Sequence, residues 1–148
     1  MEPWELVARE SIRDLVARYN ANGDTGRFDQ VLELFAPDAV MQLDDREYVG
    51  HEDIRSIFTH AAGAVTGAPR IQHHTATLQI DVTDPEHASG RSYFQVLAGE
   101  GLDHWGRYLD RYVVAGGRWR FARRRVVTDG WVPGGWGERV MRSGGGGR

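Results

Sequence analysis

The spacing of apolar residues changes once along the chain, near Arg70, and this change constrains the fold more than any other feature. Before it, apolar residues recur every three or four positions, as on a helix with one buried face. After it, they alternate with polar residues, as on a strand with one buried face. Helices followed by a run of strands predict an α+β domain whose helices cover one face of a curved antiparallel sheet.

The first 65 residues predict three helices. Ile12, Leu15, Val16 and Tyr19 form the apolar stripe of the first helix, which ends at residues 20–23.

A short second helix has its apolar face over 28–35 and is stopped by Pro37, and a third helix opens at Gly50. Between them, strand-like runs at 39–43 and 48–49 flank a polar turn and predict a hairpin.

Four strand-like runs follow the change of period, and Gly116-Gly117 is a two-residue hairpin signal between the last two. The runs are 78–82, 89–97, 105–114 and 118–127. We expect an antiparallel meander.

Composition excludes several classes of function. The 148 residues suffice for one domain with a core and one ligand-sized cavity. With no cysteine there is no disulfide or thiolate site. A net charge of -3 with mixed signs argues against nucleic-acid or membrane partners, and the basic cluster Arg118 to Arg125 interleaves with aromatic residues. The N-terminus lacks the apolar run of a signal peptide, so we expect a cytoplasmic protein.

The C-terminal segment differs from the rest of the chain. We divide the sequence into a domain over 1–132 and a lid or arm over 133–148, whose tail from Ser143 to Arg148 should lack structure. Trp131 and Trp136 in a glycine-rich context suggest a lid over an apolar pocket. An arm packed on a partner subunit is the alternative.

Asp24 and the pair His73-His74 are the candidates for chemistry. Asp24 follows the first helix and the histidines open a predicted strand. An imidazole acts as a general base near neutral pH when a carboxylate fixes its tautomer and stabilises its charged form. No phosphate-binding glycine loop, nucleophile elbow or paired metal-ligand spacing is present, so we expect neither a cofactor nor a metal.

An ordered set of short motifs matches a known family. They are Ile12-Arg13-Asp14-Leu15 with Tyr19 and Asp24, Phe28-Asp29 to Val40, Gln72-His73-His74, Gly106-Arg107-Tyr108 with Asp110, and Gly117-Arg118-Trp119-Arg120-Phe121. Over residues 5 to 128 the chain resembles the SnoaL-like branch of the nuclear transport factor 2-like superfamily. That branch includes scytalone dehydratase, hexachlorocyclohexane dehydrochlorinase and polyketide cyclases, while the same fold also serves non-catalytic subunits and binding proteins.

The resemblance implies a cone-shaped sheet around a deep apolar pocket and assigns roles to several residues. It pairs Asp24 with His73 as the catalytic dyad. It implies that Tyr19 lines the pocket as a hydrogen-bond donor and that Arg123 is a basic pocket residue. Strand alternation independently places Arg123 on one face with Trp119 and Phe121.

Each candidate also has a structural explanation. Asp24 could cap the second helix, Tyr19 could serve core packing, and Arg123 could lie on a solvated sheet edge. Simple alternation with residues 78, 80 and 82 would put His74 rather than His73 on the apolar face. The resemblance favours His73, and a bulge at the strand start would reconcile the two.

Two functions remain open. In the first, a cofactor-independent dehydratase, isomerase or cyclase acts on a hydrophobic cyclic small molecule, with Tyr19 or Tyr108 stabilising a developing oxyanion and His74 and Trp131 also near the substrate. In the second, the cone is a binding or assembly module. An open cavity at the dyad favours the enzyme and a filled cone favours the module. We expect a homo-oligomer, a dimer or a trimer, in either case.

Overall fold

The computed structural model describes residues 1–44, 46–64 and 70–144. Within these residues lie four helices and six strands. The helices are α1 (Pro3–Gly23), α2 (Phe28–Glu33), α3 (Gly50–Ala64) and α4 (Trp136–Gly144). The strands are β1 (Phe35–Leu43), β2 (Arg46–Val49), β3 (Gln72–Asp84), β4 (His87–Ala98), β5 (Gly101–Ala115) and β6 (Arg118–Trp131). The α+β fold class predicted from the sequence is confirmed.

One curved, unclosed sheet contains all six strands in the order β2-β1-β6-β5-β4-β3. Hairpins join β3 to β6, so these strands alternate in direction, as predicted. The β1–β6 pair departs from the predicted antiparallel arrangement, because it is parallel. Helix α3 separates β1 and β2 from the meander, so no hairpin fixes the direction of β1 relative to β6.

Helix α1 packs its apolar stripe onto the sheet. Ile12, Leu15, Val16 and Tyr19 are all buried, as the sequence predicted. Pro3 lies in the first turn, where its missing N–H removes no helical bond. The helix ends at Gly23, so Asp24 lies where the chain leaves α1.

The sequence analysis placed two short segments in the wrong element. Phe35, assigned to the second helix, begins β1 opposite Phe121, and the two rings lie 5.1 Å apart. An apolar residue at this position suits a helix end and a strand start equally, and its burial comes from the sheet. Pro37 lies within β1 at a register shift, where a strand tolerates proline. Residues 143 and 144 belong to α4, and the rest of the predicted unstructured tail, 145–148, lies outside the described residues.

The core contains a fully buried ion pair. Arg124 is 0% exposed and donates two hydrogen bonds of 2.8 Å, from Nε and Nη2, to the carboxylate of Asp110. Tyr112 donates a third bond, 3.0 Å long, to the same carboxylate. Burial disfavours the charge of Arg124, but attraction to Asp110 outweighs it and raises the pKa of Arg124.

Three aromatic rings surround the Arg124 guanidinium. Its Cζ lies 4.2 Å from the ring centroid of Tyr19, 3.9 Å from that of Tyr108 and 4.3 Å from that of Phe121. A desolvated cation over aromatic faces is stabilised by about 2 kcal/mol. Because Tyr19 belongs to α1 and the other two rings to the sheet, the guanidinium joins helix and sheet.

The face assignment of Arg123 is wrong. Arg111 lies opposite Arg123 and Tyr112 opposite Phe121, so one extra residue, Ala122, is inserted into β6. The insertion reverses the alternation: Phe121 and Arg124 face the interior and Arg123 faces outward. Arg123 there donates to Gln42 and Glu47.

We predict that Asp110→Ala lowers the free energy of unfolding by about 3–5 kcal/mol, because it leaves a buried arginine charge without its partner. Urea unfolding followed by circular dichroism measures this change. Asp129→Ala is the control, because it removes an exposed carboxylate paired with Arg107 and should leave stability nearly unchanged.

If Asp110→Ala does not fold, the double variant Asp110→Leu/Arg124→Met replaces the pair with apolar groups and should restore folding. An Asp110→Ala protein as stable as the wild type would show that the buried pair does not maintain the core.

Candidate functional site

Asp24 and His73 are joined by two hydrogen bonds. The Nδ1–H of His73 donates to Oδ1 of Asp24 at 2.6 Å, and the backbone N–H of His73 donates to Oδ2 at 2.8 Å. With Nδ1 protonated, Nε2 is left as a proton acceptor. The side chains of Asp24 and His73 are 17% and 26% exposed, so solvent reaches the couple. The resemblance implied that these two residues pair; their catalytic role stays a prediction.

Asp24 does not cap the second helix. The N-cap position of α2 is Arg27, and no side chain makes a cap hydrogen bond there. Both carboxylate oxygens of Asp24 are directed instead to β3, 49 residues along the chain. The helix-cap alternative for Asp24 is therefore wrong.

A bulge in β3 explains why His73, rather than His74, faces the helices. The register between β3 and β4 shifts between Ala76 and Gln79, and Thr77 has φ = 54°. Before the shift, the odd-numbered residue His73 faces inward, opposite Val96. After the shift, the even-numbered residue Ile80 faces inward. Strict alternation counted back from Ile80 would therefore put His74 on the inner face, whereas His74 lies on the exposed outer face.

A second carboxylate–imidazole couple lies beside the first. The Nδ1–H of His104 donates to Oδ2 of Asp103 at 2.8 Å. The rings of His104 and His73 are 6.3 Å apart and nearly perpendicular, and Phe94 lies within 6.4 Å of both. Two imidazoles, each fixed by its own aspartate, therefore share one side of the sheet.

Asp103 also holds the start of helix α4. Its two oxygens accept the backbone N–H groups of Trp136 and Gly137, at 2.8 and 2.7 Å. A carboxylate at a helix N-terminus satisfies free N–H groups and complements the helix dipole. The Trp136 ring lies 5.6 Å from that of His104. The docking of α4 is thus coupled directly to His104.

The electrostatics of the second couple follow from its burial. Burial lowers the pKa of His104, and the nearby His73 lowers it further, against the opposing effect of Asp103. Burial alone would raise the pKa of Asp103, but hydrogen bonds from His104, Gly137 and Trp136 outweigh it and lower that pKa. His104 is therefore held in its neutral form near pH 7.

Tyr19 and Tyr108, the predicted pocket donors, lie in the core. The Tyr108 hydroxyl donates to Asn20 at 3.4 Å, and the Tyr19 hydroxyl lies 3.9 Å from the sulfur of Met41. Burial raises the pKa of Tyr19 to about 12. Asn20 in turn donates to Thr75 on β3, at 3.1 Å. A ligand would reach the two hydroxyls only if this packing opened.

The other predicted contacts, His74, Arg123 and Trp131, do not surround the dyad. His74 and Arg123 lie on the outer face of the sheet, and Trp131 is exposed at the end of β6. Trp136 is the tryptophan that contacts the site, through His104.

Two surface concavities accompany the sheet, and neither is lined by Asp24 or His73. One, of about 320 Å³, lies on the outer face against His74, Tyr93 and Trp105. The other, of about 200 Å³, lies against Arg111, Arg123 and Arg125. The expected deep pocket next to the dyad is not among them, and aromatic rings around Arg124 occupy the core nearby.

The described part of the chain contains no group of three or more histidine or acidic side chains placed to hold a metal ion. Three buried polar atoms there lack a partner: Ser92 Oγ, Arg124 Nη1 and Trp136 Nε1. Buried donors without partners are uncommon, and each is available to a water molecule or a ligand.

The profile of the SnoaL-like domain matches residues 4–125, which include Asp24, His73 and His104. The chain belongs to the SnoaL-like family. None of the curated proteins matches the sequence significantly.

Solved structures of SnoaL-like proteins share the fold. The Putative Scytalone Dehydratase of Novosphingobium aromaticivorans DSM 12444 superposes with a TM-score of 0.76 at 20% identity, covering 89% of this chain and 91% of that one. LinA gives 0.78 at 17% identity, covering 88% and 93%. A variant of Rv3472, a protein of unknown function from Mycobacterium tuberculosis, gives 0.71 at 27% identity, covering 86% and 75%.

In this SnoaL-like chain, no helix within residues 1–44, 46–64 and 70–144 has both the length and the apolar character needed to cross a bilayer.

Sequence reasoning missed the Asp103–His104 couple and the role of Arg124. One signal for the latter was present, since Tyr108, Asp110 and Tyr112 alternate on a buried strand face. A carboxylate at such a position requires a cation or several donors. Asp103 and His104 gave no comparable signal, because the other partners of Asp103 are backbone N–H groups of α4, 33 and 34 residues further along the chain.

Gly137→Ala should undock α4. A Cβ at this position would lie 2.7 Å from both Oδ2 of Asp103 and Nδ1 of His104, where no side chain fits without displacing them. We expect faster amide hydrogen exchange throughout α4 and a shifted Trp136 environment.

Arg139→Ala is the control, because Arg139 is an exposed residue of the same helix, and its exchange should match that of the wild type. Unchanged α4 exchange in Gly137→Ala would contradict a close docking of the helix.

Stability should fall as the pH decreases from 7.5 to 5. Because burial lowers the pKa of His104 in the folded protein, the unfolded chain binds the proton more readily, and the loss begins near the ordinary histidine pKa of about 6.5. Thermal unfolding across this range measures the slope.

His104→Gln should flatten the slope, whereas His87→Gln, which removes an exposed histidine at the start of β4, should keep it. An equal slope in wild type and His104→Gln would assign the pH dependence to other groups.

Proposed function

We propose that this SnoaL-like protein is a cofactor-independent general acid–base enzyme acting on a hydrophobic cyclic small molecule. The observation that carries the proposal is the Asp24–His73 contact of 2.6 Å, which leaves Nε2 of a partly exposed imidazole free. An elimination, an isomerisation and an aldol-type cyclisation all begin with the removal of a proton from carbon next to an electron-withdrawing group.

In the proposed mechanism, His73 takes the proton at Nε2 and Asp24 stabilises the imidazolium that forms. The same imidazolium then returns its proton to a leaving hydroxyl or to another carbon of the substrate. His104 carries no acidic proton at Nε2 near neutral pH, because its lowered pKa keeps the ring neutral. Its neutral Nε2 serves as a hydrogen-bond acceptor that orients a substrate hydroxyl.

The surroundings of the imidazoles support an apolar substrate. Phe94 and Trp136 lie beside the rings, and α4 covers His104 as the proposed lid. Release of α4 from Asp103 would open this side of the sheet. We therefore propose that substrate enters between α4 and His73, which extends the lid hypothesis for 133–148.

The alternative is a ligand-binding or assembly module, and a specific observation favours it. The rings of Tyr19, Tyr108 and Phe121 pack on Arg124 in the core, and neither surface concavity reaches the dyad. In that case the Asp24–His73 contact ties the end of α1 to β3 and has no chemical role.

The predicted homo-oligomer stays a proposal for either function. Tyr93, Leu102 and Trp105 are exposed together on the outer face, beside the larger concavity. A cluster of exposed apolar side chains of this kind is typical of a contact surface.

The proposal predicts catalysed exchange of a carbon-bound proton. With 1-tetralone and 3-hydroxy-1-tetralone in D₂O, the protein should accelerate deuterium incorporation next to the carbonyl, measured by ¹H NMR. His73→Ala and Asp24→Asn should each reduce the rate at least about 10²-fold, the usual scale of general-base assistance. The double variant should be little worse than the worse single variant, because the two residues act as one unit.

His74→Ala is the matched control: it removes the adjacent histidine from the outer face and should keep the wild-type rate. Near-normal exchange in folded His73→Ala would refute the dyad mechanism. Saturable binding of either ketone without exchange would instead support the binding module.

A further inference from the structure

The basic cluster Arg118 to Arg125 serves several purposes, and the dyad uses none of it. Arg124 pairs with Asp110 in the core, Arg120 donates to backbone carbonyls of Glu33 and Ala115, and Arg123 donates to Gln42 and Glu47. Arg125 remains. Within the described ranges, no hydrogen bond or ion pair reaches Arg125 or Arg111, and both are exposed.

These arginines are neighbours on the outer face of the sheet. Arg111 on β5 lies directly opposite Arg123 on β6, and Arg125 follows Arg123 two residues along the same face. Like charges directly opposite one another destabilise a sheet. The arrangement therefore carries an unfavourable repulsion that a bound anion would relieve.

The outer-face concavity of about 200 Å³ is lined by all three arginines, together with Ser89, Gly90, Leu109 and Asp110. Of the nearby carboxylates, that of Asp110 is buried and bonded to Arg124, and that of Glu47 is bonded to Arg123. Asp81 lies on β3, beyond Ser89. Two of the three guanidinium groups thus keep all their donors free beside a volume that accommodates a small ligand.

We propose that the concavity formed by Arg111, Arg123 and Arg125 binds a small oxyanion of the phosphate class, free or as the phosphoryl group of a small molecule. Guanidinium groups donate paired hydrogen bonds to phosphate oxygens, and several of them together match a dianion. The site lies on the opposite face from His73, so it stands independently of the proposed function.

Isothermal titration of the full chain with inorganic phosphate, at pH 7.5 and constant ionic strength, tests the proposal. Binding should saturate with one site. Arg111→Gln and Arg125→Gln should each weaken it about tenfold or more, the scale of one lost hydrogen bond to a charged group. Arg118→Gln removes the same charge from the exposed hairpin end, outside the concavity, and should bind like the wild type.

Titrations with two further ligands distinguish a phosphorylated small molecule from free phosphate and from other anions. Tighter binding of glycerol 3-phosphate than of inorganic phosphate would assign the site to a phosphorylated small molecule, and the reverse order to the free ion. Succinate binding as tight as phosphate binding would overturn the phosphate assignment. So would the absence of saturation, or an equal loss of affinity in Arg118→Gln.

Thermal unfolding with and without phosphate is a second measurement, which distinguishes anion binding by Arg111 from a purely structural role of this residue. In phosphate-free buffer, Arg111→Gln should unfold at the wild-type temperature or above, because it removes the repulsion with Arg123. Phosphate should raise the unfolding temperature of the wild type and of Arg118→Gln, and that of Arg111→Gln much less, because this variant binds it more weakly. Destabilisation of Arg111→Gln in the absence of phosphate would show that Arg111 holds the sheet together and would overturn the proposal.

Discussion

The buried guanidinium of Arg124 organises the interior of this protein. A charge without solvent requires a carboxylate, which Asp110 provides, and aromatic faces, which come from α1 and from the sheet. The ring of Tyr19 fixes α1 across the sheet, and the end of α1 then places Asp24 at the start of β3. The contact between Asp24 and His73 thus depends on an ion pair in which neither residue takes part.

The two imidazoles differ in how they are held. His73 is hydrogen-bonded to Asp24, which lies at the end of α1, and α1 is packed in the core. His104 is bound to Asp103, whose oxygens are shared with the backbone of α4. The first couple is fixed by the fold, whereas the second changes whenever the C-terminal helix moves. An imidazole of constant geometry beside one that is coupled to a covering helix is consistent with the proposal that α4 acts as a lid.

Most of the fold could be predicted from the sequence, because period and turn signals are local properties. The change in the spacing of apolar residues near Arg70 located the meander. Gly116-Gly117 marked its last turn, where both glycines adopt positive φ. Alternation failed to give the correct sheet face at two places, and for one reason. Bulges near Thr77 and Ala122 reverse the alternation, and no residue in the sequence marks them. The family resemblance favoured His73 against the alternation, and the structure places His73, not His74, beside Asp24. Arg123 was misassigned where alternation was followed. The contact of Asp103 with α4 was unpredictable, since it depends on where a distant helix docks.

The bulge in β3 has a second consequence, because β3 is an edge strand. It is thirteen residues long, and one row of its backbone donors and acceptors lies at the edge of the sheet, where Asp24 binds the N–H of His73 and Arg9 binds the carbonyl of Ile80. A flat, open row of that kind is a template for pairing with another chain. A kink at Thr77 interrupts the row and increases the local twist. The irregularity that turns His73 toward Asp24 therefore also protects the exposed edge against uncontrolled strand addition. A variant with a regular β3 would expose a straight edge as well as the wrong histidine, so solubility and the geometry of the site depend on the same backbone feature.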